Sequence, residues 1–391
     1  QMAYAYYRTG NYKASVAHFA AASKADDPAL VQIATYQLAD AYLKSGEKKF
    51  AQNAFKAASQ MDEDRQITED ALFNYAKLAY ELSYDPFHEA IQAFDRYLTA
   101  YPDSPRKDDA YAFLLKVHLA TKNYPAAMRA LESMKNIGIS GREDYQRAAY
   151  NHAVQLMRAG DNDEALKYFK TSKKYNELPE ISALADYRIG DLHYREGNYA
   201  EAAAAYKAFA AKPSAYGTGQ YKNADYNLGY CYFKLDKPAA SLESFRKFTA
   251  SPGIDKRRKY DALLRIGDLH LVGKDYSAAI VSYGEAMALN GTEGDYARFQ
   301  TAMAYGYKED HERKIQELQR LFTDYPATSL AAVGQYQLGD SYFLSDQLNK
   351  ALTAFNTVID EHGDSPFRKK ALLKRGLVQY RLSNYDAAIA S

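Results

Sequence analysis

Catalysis needs reactive side chains of suitable types held close together, and this chain offers few candidates. His118, His193 and His270 recur at equivalent places, two of them within the tripeptide Asp-Leu-His, as Asp191 with His193 and Asp268 with His270. An Asp and a His two residues apart on a helix point to different faces, so neither pair reads as a catalytic dyad. Zinc needs several nitrogen or sulfur ligands converging on one point. These histidines instead replace Tyr42, Tyr232, Tyr305 and Tyr342 of sister segments, which places them in an aromatic packing column. His152 takes an apolar position of the same kind. The single Cys231 stands between Tyr230 and Tyr232 in an apolar run, the setting of an inert buried thiol. No metalloprotease helix, phosphate-binding glycine loop or nucleophile elbow occurs. The basic run from Asp255 to Lys259 reads as a solvated turn. The expectation is a chain that is not an enzyme, with no catalytic residue, no metal and no cofactor.

Composition narrows the partners. The chain has 391 residues, 50 basic and 49 acidic, for a net charge of +1. No overall field favours a polyanion, so nucleic acid is not the expected ligand. No stretch of about 18 apolar residues occurs, so no transmembrane segment is expected. Tyr is abundant, 37 residues against 17 Phe and no Trp, and its apolar ring with a polar tip suits both half-buried seams and wet binding grooves.

The elements that position these residues are read from internal repetition. The run Tyr226 to Phe245 carries an apolar residue, a glycine, an aromatic, a turn, a small residue and an aromatic, in that order. The same order returns from Tyr187 to Tyr206, from Leu264 to Tyr283 and from Tyr336 to Phe355. One small column is Ser15, Ala51, Ala90, Ala127, Ala165, Ala202, Ser241, Ala279, Lys314, Ala351 and Ala388, spaced 35 to 39 residues apart. Four residues after each of the first ten stands a bulky knob: Phe19, Phe55, Phe94, Leu131, Phe169, Tyr206, Phe245, Tyr283, Leu318 and Phe355. A second column precedes most of the first by twelve: Ala39, Ala153, Gly190, Gly229, Gly267, Ala302, Gly339 and Gly376, with Leu115 an exception. Ala76 and Ala90 are spaced two residues wider. Small residues on both sides let two helices approach closely, and the knob fills the space beside them. Gly10, Gly46, Gly160 and Gly197 fall where a left-handed residue ends a helix. Strand signals are absent, so each unit reads as a helix-turn-helix and the chain as all α.

This pattern resembles the tetratricopeptide repeat over essentially the whole chain, with a period slightly above the common length of about 34 residues. The resemblance implies an α-solenoid of about ten helical hairpins forming a right-handed superhelix, one continuous solenoid over residues 1–391. The linkers Tyr101 to Pro105 and His362 to Pro366 are similar to those of bacterial envelope repeat proteins, the Tol–Pal accessory protein YbgF and the BamD-like outer-membrane lipoproteins. A plain helix stop and cap explains the same linker residues. Gln1 falls midway through a first helix and Ser391 follows Tyr385 by six residues, so partial repeats cut from a longer protein are expected at both ends.

In that family the first helix of each hairpin lines a concave face that holds peptides or partner helices. The expected partner-binding groove is Tyr187, Arg188, Asp191, Tyr194, Tyr226, Asn227, Tyr230, Arg265 and Asp268, because consecutive repeats there interleave rings with oriented polar groups. The alternative is that each Tyr packs only between repeats. The clamp by which some family members hold a chaperone's terminal carboxylate is not expected. Asn227 and Arg265 fit two of its places, but Tyr187, Asp191 and Asp261 stand where Lys or Asn is required, and carboxylates there repel the ligand. The expected function is a non-catalytic scaffold for protein or peptide partners in a bacterial envelope assembly, in the periplasm or at the outer membrane. End-to-end self-association is left open. The alternatives are a cytoplasmic adaptor or the targeting arm of an enzyme whose catalytic domain lies elsewhere.

Overall fold

The computed structural model describes residues 1–82, 87–289 and 293–391, and among them every regular element is a helix. Asn or Asp caps that accept an N–H of the first turn open several helices: Asn11, Asp27, Asn123, Asp161, Asp255 and Asp310. The chain falls into two compact units, Gln1–Arg188 and Ile189–Ser391. The first contains α1 (Met2–Arg8), α2 (Tyr12–Ala22), α3 (Pro28–Lys44), α4 (Lys48–Ala58), α5 (Arg65–Leu82), α6 (His88–Ala100), α7 (Lys107–Ala120), α8 (Tyr124–Glu132), α9 (Gly138–Ala159) and α10 (Asn162–Thr171). Helix α11 (Pro179–Arg195) carries the division. The second contains α12 (Tyr199–Ala210), α13 (Ala224–Lys234), α14 (Pro238–Ala250), α15 (Lys256–Val272), α16 (Tyr276–Leu289), α17 (Asp295–Tyr307), α18 (His311–Asp324), α19 (Ala331–Leu344), α20 (Leu348–Glu361), α21 (Arg368–Arg381) and α22 (Tyr385–Ala390). Odd-numbered helices are the first members of hairpins and even-numbered ones the second. Between α12 and α13 lie two short 3₁₀ turns, Pro213–Ala215 and Tyr221–Asn223.

The two small columns are the contact between the members of a hairpin. All ten knobs are buried, Phe245, Tyr283 and Phe355 completely. A Cβ placed on Gly190 would lie 2.8 Å from the Tyr206 ring, on Gly229 2.7 Å from Phe245, on Gly267 2.5 Å from Tyr283 and on Gly339 2.8 Å from Phe355. Only a residue without Cβ lets the ring lie against that backbone. Lys314 departs from the small column, and Gly306 explains how it is tolerated. A Cβ there would meet the Lys314 side chain at 2.8 Å, and the threaded ammonium reaches Gln337, to which it donates at 2.8 Å.

Among the described residues the hairpin turn carries a left-handed residue five before the small position, whether or not glycine supplies it. Gly46 and Gly160 take φ of 86°, and Lys274 and Glu309 take 62° and 61° at the corresponding turns.

Two further columns join successive hairpins. Seven residues before the small position of the first helix, a polar side chain grips the loop leading to the next hairpin. Buried Gln32 donates to the Met61 carbonyl at 3.0 Å and accepts from the Asp64 N–H at 2.6 Å. Gln146 does the same with the carbonyl and N–H of Leu178, both at 2.9 Å. At the equivalent places Glu69 accepts from Tyr97 and Ser104, and Asp295 accepts from Thr328 at 2.7 Å. Ser104, Thr328 and Ser365 each accept an N–H two residues on, so these linkers act as helix-entry caps. The other column is a tyrosine that donates to an aspartate one repeat later: Tyr7 to Asp40, Tyr36 to Asp70, and Tyr226 to Asp261 at 2.9 Å.

Two outcomes follow from this packing. Gly229→Ala puts a methyl group into the Phe245 ring, and overpacking of this kind costs about 1–3 kcal/mol. Its melting temperature should fall, and an unchanged melt would mean that the hairpin contact yields without strain. The second concerns pH. Burial, reinforced by the Asp261 carboxylate, pushes the Tyr226 hydroxyl up to about 12. The unfolded value is roughly 10, so the unfolded chain loses this proton first as pH rises. Stability from this group is complete below about pH 10 and is lost as pH climbs through about 12. Denaturant unfolding across that window should show a smaller decline for Tyr226→Phe than for the unmodified chain, and equal declines would remove the argument.

Candidate functional site

The nine residues expected to line the groove are not equivalent. Tyr187 and Arg188 belong to the first unit and the other seven to the second. Tyr187 is only 6% exposed, so its ring has almost no surface for a partner. Arg188 is half-buried, its guanidinium 5.8 Å from the Tyr187 ring centroid. The reason lies in register. Tyrosines three before the small column lean on the knob of their own hairpin: Tyr36 on Phe55 at 5.6 Å, Tyr150 on Phe169 at 5.5 Å, Tyr226 on Phe245 at 6.1 Å and Tyr336 on Phe355 at 5.9 Å. Such contacts are edge-on or tilted, the favourable geometry for aromatic pairs, and they make this column a packing column.

Residues one after the small column are held by hydrogen bonds. Asp191 accepts from the Tyr206 hydroxyl at 2.7 Å, and Asp268 accepts from Tyr283 at 2.8 Å and Tyr296 at 3.0 Å. Wherever the knob is tyrosine rather than phenylalanine, an aspartate follows the glycine of the facing helix. A buried hydroxyl needs an acceptor, and the aspartate supplies it. Arg265 donates to Asp268 at 2.7 Å, with its ion-pair partner only 15% exposed. Arg265 and Asp268 are therefore engaged with each other and with the core. Tyr230, in the same register as those aspartates, donates to Asp261, whose Oδ2 also receives Tyr226. Burial first, and then Asp261, raises the Tyr230 hydroxyl well above the ordinary tyrosine range.

Asp261 and Tyr206 were not among the expected site residues, yet both shape it. The signal was present, since Tyr7 with Asp40, Tyr36 with Asp70 and Tyr226 with Asp261 share a spacing of 33 to 35 residues.

What remains open lies where the end of α11, α12 and α13 meet. Tyr194, Tyr206, Tyr226, Asn227 and Tyr230 line a cleft of about 250 Å³. Tyr194 is half-buried, its ring edge-on to Tyr199 at 5.3 Å, and burial raises its hydroxyl. Phe233, four after the small column, is 39% exposed at the next repeat. Of the expected groove, Tyr194 and this cleft, with Phe233 nearby on α13, are the parts a partner could reach.

The groups weighed for chemistry are dispersed. Cys231 is fully buried and its thiol is pushed up to about 12 by burial. Burial lowers His118 and His270, and the His270 Nε2 lies 3.0 Å from Arg246. Among the described residues no group of three His, Cys, Asp or Glu side chains could hold a metal ion, and no helix is long and apolar enough to cross a membrane.

Comparison with known proteins bears on the family. Among curated proteins none matches the sequence. Of solved structures, that of MamA is 20% identical over 45% of this chain and 95% of its own, with a TM-score of 0.39. YrrB, described as a TPR protein with an unusual peptide-binding site, is 17% identical over 47% of this chain and 88% of its own, with a TM-score of 0.39. The C-terminal part of a TPR repeat-containing protein from Cytophaga hutchinsonii is 14% identical over 68% of this chain and 99% of its own, with a TM-score of 0.47. The sequence signature described as tetratricopeptide repeat matches residues 1–49, 36–105, 150–217, 226–295 and 336–391, more than half of the chain. Together with helical hairpins joined at paired small columns, this repeated match shows that the chain belongs to the tetratricopeptide repeat family.

Proposed function

We propose that the chain is a non-catalytic scaffold that holds partner polypeptides against the first helices of its second unit, in a bacterial envelope assembly. The observation that carries the reading is the cleft of Tyr194, Tyr206, Tyr226, Asn227 and Tyr230, flanked by exposed Phe233. Rings fixed by packing lose little conformational entropy on binding, which favours them as contacts for another polypeptide. Membership of a family whose repeats bind peptides and proteins supports the same use. For the envelope setting the support is the likeness of the Tyr101–Pro105 and His362–Pro366 linkers to those of envelope repeat proteins.

Two measurements test this. A photocrosslinking amino acid at Tyr194 should covalently trap a polypeptide in source cells, whereas the same group at Val281, exposed on a second helix, should not. Equal trapping at both places, or trapping at Val281 alone, would move the binding surface away from the cleft. Cell fractionation should recover the protein with the envelope, and recovery in the cytosol would end that part of the proposal.

A further inference from the structure

The geometry points to a cationic side chain, the arginine or lysine of a partner polypeptide, as the group that enters the cleft formed by α11, α12 and α13. The inference rests on the groove reading above and names the chemistry of its ligand.

Size comes first. At about 250 Å³ the cleft falls below the range of roughly 300–1,000 Å³ typical of sites that enclose a whole small ligand. It has room for the end of one side chain.

Proton placement then decides the sign. A phenol has one hydrogen to donate. Tyr226 and Tyr230 both direct theirs to Asp261, and Tyr206 directs its own to Asp191. Three of the four tyrosines can therefore show a ligand only oxygen lone pairs and ring faces, each backed by a carboxylate. Such a lining attracts a cation or an N–H donor, through cation–π contact and acceptor oxygens, and repels a carboxylate. Arg265 does not cancel this. It lies 2.7 Å from Asp268 and 3.9 Å from Asp261, so its charge is engaged chiefly elsewhere. Arg258 stands with its guanidinium 5.8 Å from the centroid of Tyr226, which shows a ring of this lining already accepting a cation. The net charge of +1 means that bulk attraction of the whole chain would not imitate the effect.

The test uses four fluorescein-labelled peptides, Gly-Gly-Xaa-Gly-Gly amides with Xaa as arginine, lysine, citrulline or glutamate, titrated against the full chain by fluorescence anisotropy. Citrulline keeps the shape of arginine and removes its charge. The arginine and lysine peptides should bind at least about tenfold more tightly than the citrulline peptide, a ratio within reach of a partly desolvated cation–π contact. The glutamate peptide should bind no better than citrulline. Tyr194→Ala should remove the preference. Asn227→Lys, which sets a cation in the cleft wall without removing a ring, should abolish arginine binding while circular dichroism stays helical. Equal binding of arginine and citrulline would overturn the cation assignment and leave the groove reading standing, because crosslinking from the Tyr194 position decides that separately. A preference indifferent to both variants, or no binding by any peptide, would overturn the assignment as well.

Discussion

Everything in this protein depends on how closely the two helices of a hairpin approach. Where glycine faces an aromatic knob, the ring lies against bare backbone, and a Cβ would stand 2.5 to 2.8 Å from it at four successive or near-successive hairpins. This short separation carries the knob past the first helix and brings its far edge to the opposite face. A tyrosine knob delivers a hydroxyl, and Asp191 or Asp268 must stand ready to accept it. A tyrosine knob in the second helix thus goes with an aspartate acceptor in the first.

The same constraint explains the exceptions. Lys314 takes a place that elsewhere is alanine or serine, and the fold accommodates it because Gly306 leaves its stem a path and Gln337 receives its ammonium. Burial lowers its proton affinity, the direction expected for an ammonium drawn out of water. A larger side chain in one helix is thus matched by a missing one in the other, as close packing requires.

The link from packing to function is the commitment of the tyrosine hydroxyls. Successive hairpins are tied by tyrosines that donate to aspartates of the next repeat, and by side chains such as Gln32 and Gln146 that grip the intervening loop. In the second unit the hydroxyls of Tyr206, Tyr226, Tyr230 and Tyr283 are all donated to aspartates. The cleft lined by Tyr194, Tyr206, Tyr226, Asn227 and Tyr230 consequently presents phenol oxygens and ring faces. A surface built for rigidity acquires a chemical preference as a by-product of its own stabilisation.

The sequence by itself determined the period, both small columns, the knobs and the family, because these depend on contacts within one hairpin, between residues separated by a fixed short interval. It also marked the glycine turns at Gly46 and Gly160, though the left-handed residues Lys274 and Glu309 carry no such mark. Only the tertiary structure decided which polar and aromatic residues were left for a partner. Tyr187 and Tyr194 look alike in sequence, seven residues apart on one helix, yet the first is buried and the second lines the cleft. Asp268 and Arg265 read as a groove pair and are a bracket for Tyr283 and Tyr296. The physical reason is that these roles are fixed by partners on other helices, as distant as Asp261 is from Tyr226, and a periodic pattern names the face of a helix without naming what lies against it.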